Sequence, residues 1–236
     1  MATLIAERGV APWRRRLTLP AYRVVDAARY AGVTSQTIHN WEVGTATANR
    51  VVSNRGDGVA LSYLQLVELA FVAMLRKKSV KLAAILEARK YIEAELGTEF
   101  PLASHRFMTD GKDVLLRYNE FVKGQPPETL IAANRGGQLA WEDILGDKFH
   151  EFEYQDGEKF AMRWHPRGPN SSVLIDPQIS FGAPIVKGVP TWAVRGRFEA
   201  GESREDISED FVLSPKQVDD ALQFEGINLT ELEAWH

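Results

Sequence analysis

The chain has no cysteine. That excludes a disulfide framework, thiolate-held zinc or iron–sulfur sites, and any thiol nucleophile. Histidine is sparse and scattered: His39, His105, His150, His165 and His236 show no H-E-x-x-H or other close ligand spacing. The pattern therefore points to no metal centre and no cofactor. Walker A, G-x-G-x-x-G and G-x-S-x-G are also missing, which leaves nucleotide-dependent and serine-hydrolase chemistry without a motif. Long apolar runs are lacking too. The longest, around Leu64 to Leu75, is interrupted by Gln65 and Glu68, far short of the roughly 18–20 residues of a membrane span. Met1 to Pro20 carries Trp13 to Arg16 but no apolar leader core and no small-residue cleavage site. A soluble, cytoplasmic protein without a membrane partner is expected. The 44% hydrophobic and 25% charged residues over a length of 236 fit one or two folded domains and exclude disorder as the main state.

What is present is a division of charge. Residues 1–90 hold 14 Lys and Arg against 6 Asp and Glu, a net of +8, whereas residues 91–236 hold 14 against 26, a net of -12. A basic front half can approach nucleic-acid phosphates, and an acidic back half suits a neutral or cationic protein.

The front half reads as helices. Val24, Val25, Ala28 and Ala31 form a helical stripe within Ala21 to Gly32, ended by a glycine able to turn left-handed. Thr34 is a fitting N-cap for a second helix over Ser35 to Val43, with Ile38 and Trp41 on one face. Two helices about a tight glycine turn suggest a helix-turn-helix. Val51, Val52 and Val59 then surround the turn cluster Asn54 to Gly58, which predicts a hairpin with the shape of a wing. Amphipathic helices are predicted over Leu61 to Met74 and Val80 to Leu96, the second also a candidate pairing helix of a homodimer. Arg76-Lys77-Lys78 between them fits either a phosphate-facing patch or a solvated helix end.

From Phe100 to Pro166 the texture changes to short alternating runs. Strands are predicted near Arg106 to Met108, Val114 to Tyr118, Leu130 to Ala133, Phe149 to Tyr154 and Phe160 to Trp164, with a short helix around Trp141 to Leu145. Arg167 to Ser172 has linker composition. A strand over Val173 to Ile175 and helices over Val189 to Glu199, Ser203 to Phe211 and Pro215 to Glu225 follow, the last capped by Ser214 with proline at its first position. The predicted fold class is α+β: a winged helix-turn-helix with its following helices (1–99), a small, mostly β connector (100–170), and a small helical, helix-turn-helix-like C-terminal domain (171–236).

Helix-turn-helix readers lay the start of the second helix in the major groove. Ser35, Gln36, His39 and Asn40 lie opposite Ile38 and Trp41. Gln36 and Asn40 stack four apart, and either can pair bidentately with adenine. The same four residues are equally compatible with a plain solvated face. Arg50 and Arg55 flank the expected wing and are candidates for backbone contacts. Trp13 to Arg16 fits a flexible basic arm or a solvated run. The acidic pairs Glu205-Asp206, Glu209-Asp210 and Asp219-Asp220 fit solvated helix surfaces better than a cation site.

Tyr22 to Leu66, with Thr37-Ile38 and Trp41 in the second helix and Leu61-Ser62 opening the next, resembles the DNA-binding domain of MerR-type regulators. At the other end, Ile175-Asp176-Pro177, Phe181 to Thr191 and Phe198 to Ser203, with Leu213 to Val218 opening the last helix, resemble the bacterial family known as domain of unknown function four hundred and thirty-three. In this pattern Gly182 and Gly188 permit tight turns and Pro184 fixes the chain between them. The combination resembles the longer VapB-type antitoxins. It implies a non-enzymatic, homodimeric antitoxin that neutralises a PIN-like ribonuclease toxin and represses its own operon by binding operator DNA. Residues 171–236 carry 5 basic and 12 acidic side chains, so this module suits toxin binding or dimerisation better than DNA. Arg195 and Arg197 are candidates for intrusion on the toxin's carboxylates, where guanidinium pairs bidentately, or are scaffold arginines. The alternative is a stand-alone, ligand-responsive MerR-like transcription regulator with the β connector as sensor. A third reading is a metal-dependent nuclease that would use Asp206 or Asp210.

Overall fold

The computed structural model describes residues 12–43, 50–53, 55–56, 58–104, 107–109, 113–117, 130–140, 147–148, 150–155, 158 and 160–229. The chain folds as two compact units, Met1–Phe149 with Tyr154–Ala161, and His150–Glu153 with Met162–His236.

The first unit begins with α1 (Pro12–Arg16), α2 (Val24–Ala31) and α3 (Ser35–Val43). Gly32 ends α2 in the left-handed region at φ 66°, and its neighbour Val33 donates back to the Ala28 carbonyl, as the sequence predicts. The Thr34 hydroxyl accepts from the Thr37 amide at 3.1 Å and starts α3. α4 (Tyr63–Lys77) is buried almost all round from Tyr63 to Ala73. That fits a helix apolar on every face rather than a striped one. Its start is fixed by a capping box in which Ser62 and Gln65 satisfy each other's backbone amides. α5 (Leu82–Leu96) follows a sharp turn and ends at Gly97, again left-handed. An antiparallel sheet completes the unit, ordered β4-β3-β2-β1-β5, from β1 (Phe107–Thr109), β2 (Val114–Arg117), β3 (Leu130–Ala132), β4 (Gln138–Ala140) and β5 (Asp147–Lys148). Val114, Leu115, Leu116 and Ile131 bury its centre.

A second sheet, ordered β10-β9-β8-β7-β6, is built from β6 (Phe152–Tyr154), β7 (Ala161–Trp164), β8 (Val173–Ile175), β9 (Pro184–Val186) and β10 (Val189–Pro190). Three helices complete the second unit: α6 (Thr191–Glu199), α7 (Arg204–Asp210) and α8 (Pro215–Phe224). Its core joins Val173, Ile175, Ile185 and Val186 to Val194, Ile207, Val218, Ala221, Leu222 and Phe224. Ser214 and Gln217 form a capping box with Pro215 in the first turn. Gly182 and Gly188 take positive φ, and Pro184 pairs with Ile175.

The mixed α+β class holds, with differences in detail. Among the described residues from 50 to 61 no strand ladder forms where the hairpin is predicted. Val51 and Val52 are buried, the Val51 amide donates to the Trp41 carbonyl at 2.9 Å, and Leu61 bridges to Tyr22. β-branched residues there serve the helical core instead of a ribbon. The predicted helix at Trp141 to Leu145 lies outside the described residues. Trp13 to Arg16 is helical, and Arg14 pairs with Glu158 at 2.9 Å. Val189–Pro190 is strand, so the predicted helix begins two residues later. The stretch 167–172 joins neighbouring strands of one sheet. Its polar backbone is held by α8, with Lys216 donating to the Asn170 carbonyl at 3.0 Å and Asp220 accepting from the Ser172 amide at 2.6 Å. Linker composition tells only that a segment is polar, and partners from far along the chain fix this one.

Candidate functional site

In the first unit, Ile38 and Trp41 turn α3 inward, and Ser35, Gln36, His39 and Asn40 are exposed together on its other side. Gln36 Nε2 donates to Asn40 Oδ1 at 3.0 Å. The two amides are thus aligned with each other, leaving one amide NH2 and one carbonyl free of this bond. Arg50 is exposed. Arg55 is not held out in solvent: its Nε pairs with buried Glu42 at 2.7 Å and its Nη1 donates to the Val59 carbonyl. The geometry brings the four α3 residues together and turns Arg55 back toward the end of the same helix.

One further cation, Lys77, stands near the start of this helix. Arg15 is exposed, and the Lys77 ammonium stands 3.4 Å from where a Cβ on Gly32 would lie, beside the α2–α3 turn. Arg76, by contrast, folds back onto the Val80 carbonyl at 2.7 Å. The three-residue basic run therefore splits, with Lys77 at the turn and Arg76 closing the end of α4.

Beneath lies a feature that periodicity does not reveal. Glu68, which interrupts the apolar run, is wholly buried and accepts from the Ser53 amide at 2.8 Å and the Leu102 amide at 3.0 Å. Ser53 Oγ donates to the Glu99 carbonyl and receives Arg89 Nη2 at 3.1 Å. Burial raises the Glu68 carboxyl above its ordinary range, opposed by the Arg89 charge and the hydrogen bonds. The cluster ties three distant segments under the helices and is closed to solvent, which makes it scaffold.

In the second unit, Arg195 Nε pairs with Glu199 one turn along α6 at 2.8 Å. Arg197 meets Glu202 and Asp210, the latter at 2.6 Å, and stacks over the Phe211 ring at 5.1 Å. Hydrogen bonds to these carboxylates hold its charge still more firmly than usual. Both guanidiniums are thus spoken for within the unit, and Arg197 pins α6 to α7. The acidic pairs are similarly employed: Asp206 caps α7 with Ser203, Asp219 meets Arg204 at 3.1 Å, and Asp220 meets Lys216 at 2.6 Å. Among the described residues no cluster of three His, Asp or Glu side chains could hold a metal ion, and no helix is long and apolar enough to cross a membrane.

A third set went unsingled by sequence. Ile179, Phe181, Trp192 and Val212 are large, apolar and exposed. Phe181 and Trp192 lie in the family-like segment, whose glycines and prolines draw attention to the turns. The detectable signal was two aromatic residues flanking those turns without a helical or strand stripe to bury them.

Comparison with known proteins bears on both units. Residues 173–224 match the family described as "Protein of unknown function (DUF433)". Across 226 residues the chain is 25% identical to the Mycobacterium tuberculosis protein described as "Putative antitoxin VapB45", covering 88% of this chain and 94% of that one. The crystal structure of Rv2018 from Mycobacterium tuberculosis matches 88% of this chain and 99% of its own with a TM-score of 0.60 at 20% identity, a likeness of fold. The DUF433 match thus falls within the second unit, and the similarity to the protein described as a VapB antitoxin runs over most of the chain.

Proposed function

We infer that the protein is the antitoxin of a toxin–antitoxin pair, with a regulatory rather than an enzymatic role. The observation that carries this reading is that similarity to the described antitoxin spans 88% of the chain. It thus includes the basic helical front as well as the DUF433 domain. The proposed partner is a PIN-like ribonuclease, whose RNA-binding face is cationic and suits the acidic segment 171–236. The proposed second activity is autorepression: α2 and α3 hold operator DNA as a helix-turn-helix. Ser35, Gln36, His39 and Asn40 face bases, while Arg50 meets the backbone. Arg55 is engaged by Glu42, so its part is to steady the end of α3. A homodimer would read two half-sites about one helical turn apart. Arg195 and Arg197 would reach toxin carboxylates only by exchanging their internal partners.

The test of neutralisation is growth. Expression of the adjacent gene's product should arrest cells, and this protein supplied from a second plasmid should restore growth. A harmless neighbour, or arrest that persists beside well-folded protein, removes the reading. For DNA, Gln36→Ala and Asn40→Ala should each cost about 1–3 kcal/mol at the operator and little on unrelated duplex, as measured by competition binding. Equal losses on both would remove the base-reading assignment.

A further inference from the structure

Four large apolar side chains of the second unit stand in solvent: Ile179 at 38% exposure, Phe181 at 77%, Trp192 at 63% and Val212 at 69%. Hydrogen bonds and chain continuity tie their segments to the β9–β10 turn. Ser180, between Ile179 and Phe181, donates its hydroxyl to the Gly188 carbonyl at 3.4 Å. Lys187, in the same turn, donates Nζ to the Val212 carbonyl at 2.8 Å. β10 then runs directly into α6, where Thr191 is buried and Trp192 is exposed. The indole does not serve the unit's core.

The same turn region holds its residues in a conformation that opposes them. Ser180, Phe181, Lys187 and Val212 have φ of 46°, 56°, 48° and 54°, and the other described non-glycine residue with positive φ is Ser79. In this region a Cβ crowds the neighbouring carbonyl oxygen, worst for a β-branched side chain. Val212 sits just past α7 where glycine is the usual residue, with its own amide bonded to the Glu209 carbonyl and the Leu213 amide to that of Ser208. Glycine would fold more easily there. Valine at this position opposes the fold and leaves apolar surface in water, a combination that marks surfaces kept for contact.

Charge selects the occupant. Residues 171–236 carry 12 acidic against 5 basic side chains, and the exposed carboxylates Glu209 and Asp210, the latter shared with Arg197, immediately precede the Phe211–Val212 corner, where Lys187 is held on the Val212 carbonyl. A second copy docking through this surface would bring like charge against like. A protein that cleaves RNA must present cations along the path of the phosphates, and those cations complement this rim. We propose that Phe181, Trp192 and Val212, with Ile179 at their edge, are the docking surface for the cationic RNA-binding face of the partner ribonuclease. Apolar anchors fill its pockets, and the carboxylates around them occupy the places of phosphates. The assignment rests on the antitoxin reading and gives it a contact surface different from Arg195 and Arg197.

The test uses the full chain and the purified product of the adjacent gene, titrated by calorimetry at low and high salt. Phe181→Ser and Trp192→Ser should each weaken binding at least about tenfold, as loss of a central anchor does, with the melting temperature unchanged. Leu19→Ser, at an exposed apolar residue of the first unit, should bind as the parent does. Val212→Gly guards against misfolding as the cause, because it should melt higher yet bind more weakly. If the parent chain binds and the Phe181/Trp192 double variant binds equally well, the surface is wrong and the antitoxin reading stands. If the double variant loses self-association in light scattering while keeping the partner, the occupant is a second copy and the proposal is overturned. If the unaltered chain neither binds nor rescues growth, the antitoxin reading itself fails and the docking surface falls with it.

Discussion

The most deeply buried carboxylates of the two units among the described residues, Glu68 and Asp176, are held in different ways. Glu68 of α4 takes amides from Ser53 and Leu102, segments far apart in sequence, and shares Ser53 with Arg89. Asp176 of the second unit is equally hidden, yet it accepts from the Gln178 amide at 2.7 Å and from Arg163 Nε, on the adjacent strand, at 2.9 Å. One acid fastens a tertiary arrangement, and the other shapes a local turn beside a strand pair. An acid with local partners can be replaced at modest cost, whereas one that gathers remote backbone cannot.

The largest expected effect follows from that contrast. Glu68→Ala leaves two buried amides unmet and leaves the nearby Arg89 with Glu93 alone, at 3.7 Å, as its counter-charge, which should cost about 3–5 kcal/mol in urea unfolding. Amide exchange at Ser53 and Leu102 should speed up with it. Asp176→Ala should cost less, about 1–3 kcal/mol, because the Arg163 side chain is 37% exposed and keeps Glu153. A greater loss at Asp176 than at Glu68 would break the comparison.

The same contrast explains what the sequence makes legible. Gly32, the Ser62–Gln65 box and Ser214-Pro215 act within one helical turn, so α2, α4 and α8 have readable ends. The DUF433 segment is likewise legible because its turns depend on nearby glycines and on Pro184. Glu68 reads only as a polar interruption of an apolar helix, since its partners come from residues 53, 89 and 102. The predicted hairpin around residues 51 to 59 fails for the described residues on similar grounds: valine favours strand locally, but burial against α3 and α4 decides where Val51 and Val52 go. For the candidate site, helical spacing was sufficient to place Ser35, Gln36, His39 and Asn40 on one face. It could not tell that Arg55 is taken by Glu42 or Arg197 by Glu202 and Asp210, because ion-pair partners depend on tertiary placement. The apolar surface at Phe181, Trp192 and Val212 is invisible to spacing, which tells apolar from polar but not buried from exposed.

A smaller effect should have the opposite sign. Val212→Gly relieves a β-branched residue from the left-handed region, worth roughly 1–2 kcal/mol, against an unfolded-state entropy loss of up to about 1 kcal/mol. The net should be a gain of up to about 2 kcal/mol, visible as a higher melting temperature. No comparable gain is available at Gly32 or Gly97, where glycine already occupies the left-handed position. A lower melting temperature for Val212→Gly would show that the valine side chain is packed and not strained.

The smallest expected effect separates the units by the direction of their response to pH. In the second unit, the hydrogen bond with His165 at 2.7 Å, aided by Arg163, holds Glu153 below the ordinary glutamate value of 4.5. A carboxyl lowered in the folded state lends stability above its unfolded value and withdraws it as pH falls through the folded one. Glu68 in the first unit is raised by burial, so its titration favours the fold at low pH and opposes it as pH rises through the folded value. Glu153→Gln should therefore flatten the acid side of the stability profile below the ordinary value of 4.5 and lower neutral stability by the same amount, a small one because Glu153 is 44% exposed and water screens it. Glu68→Gln should instead remove a loss of stability on the rising side. Urea midpoints of the parent and the two variants, followed below 4.5 for Glu153 and above it for Glu68, give the slopes directly, and changes of slope of the same sign for both substitutions would show that the two acids do not differ in the way their surroundings imply.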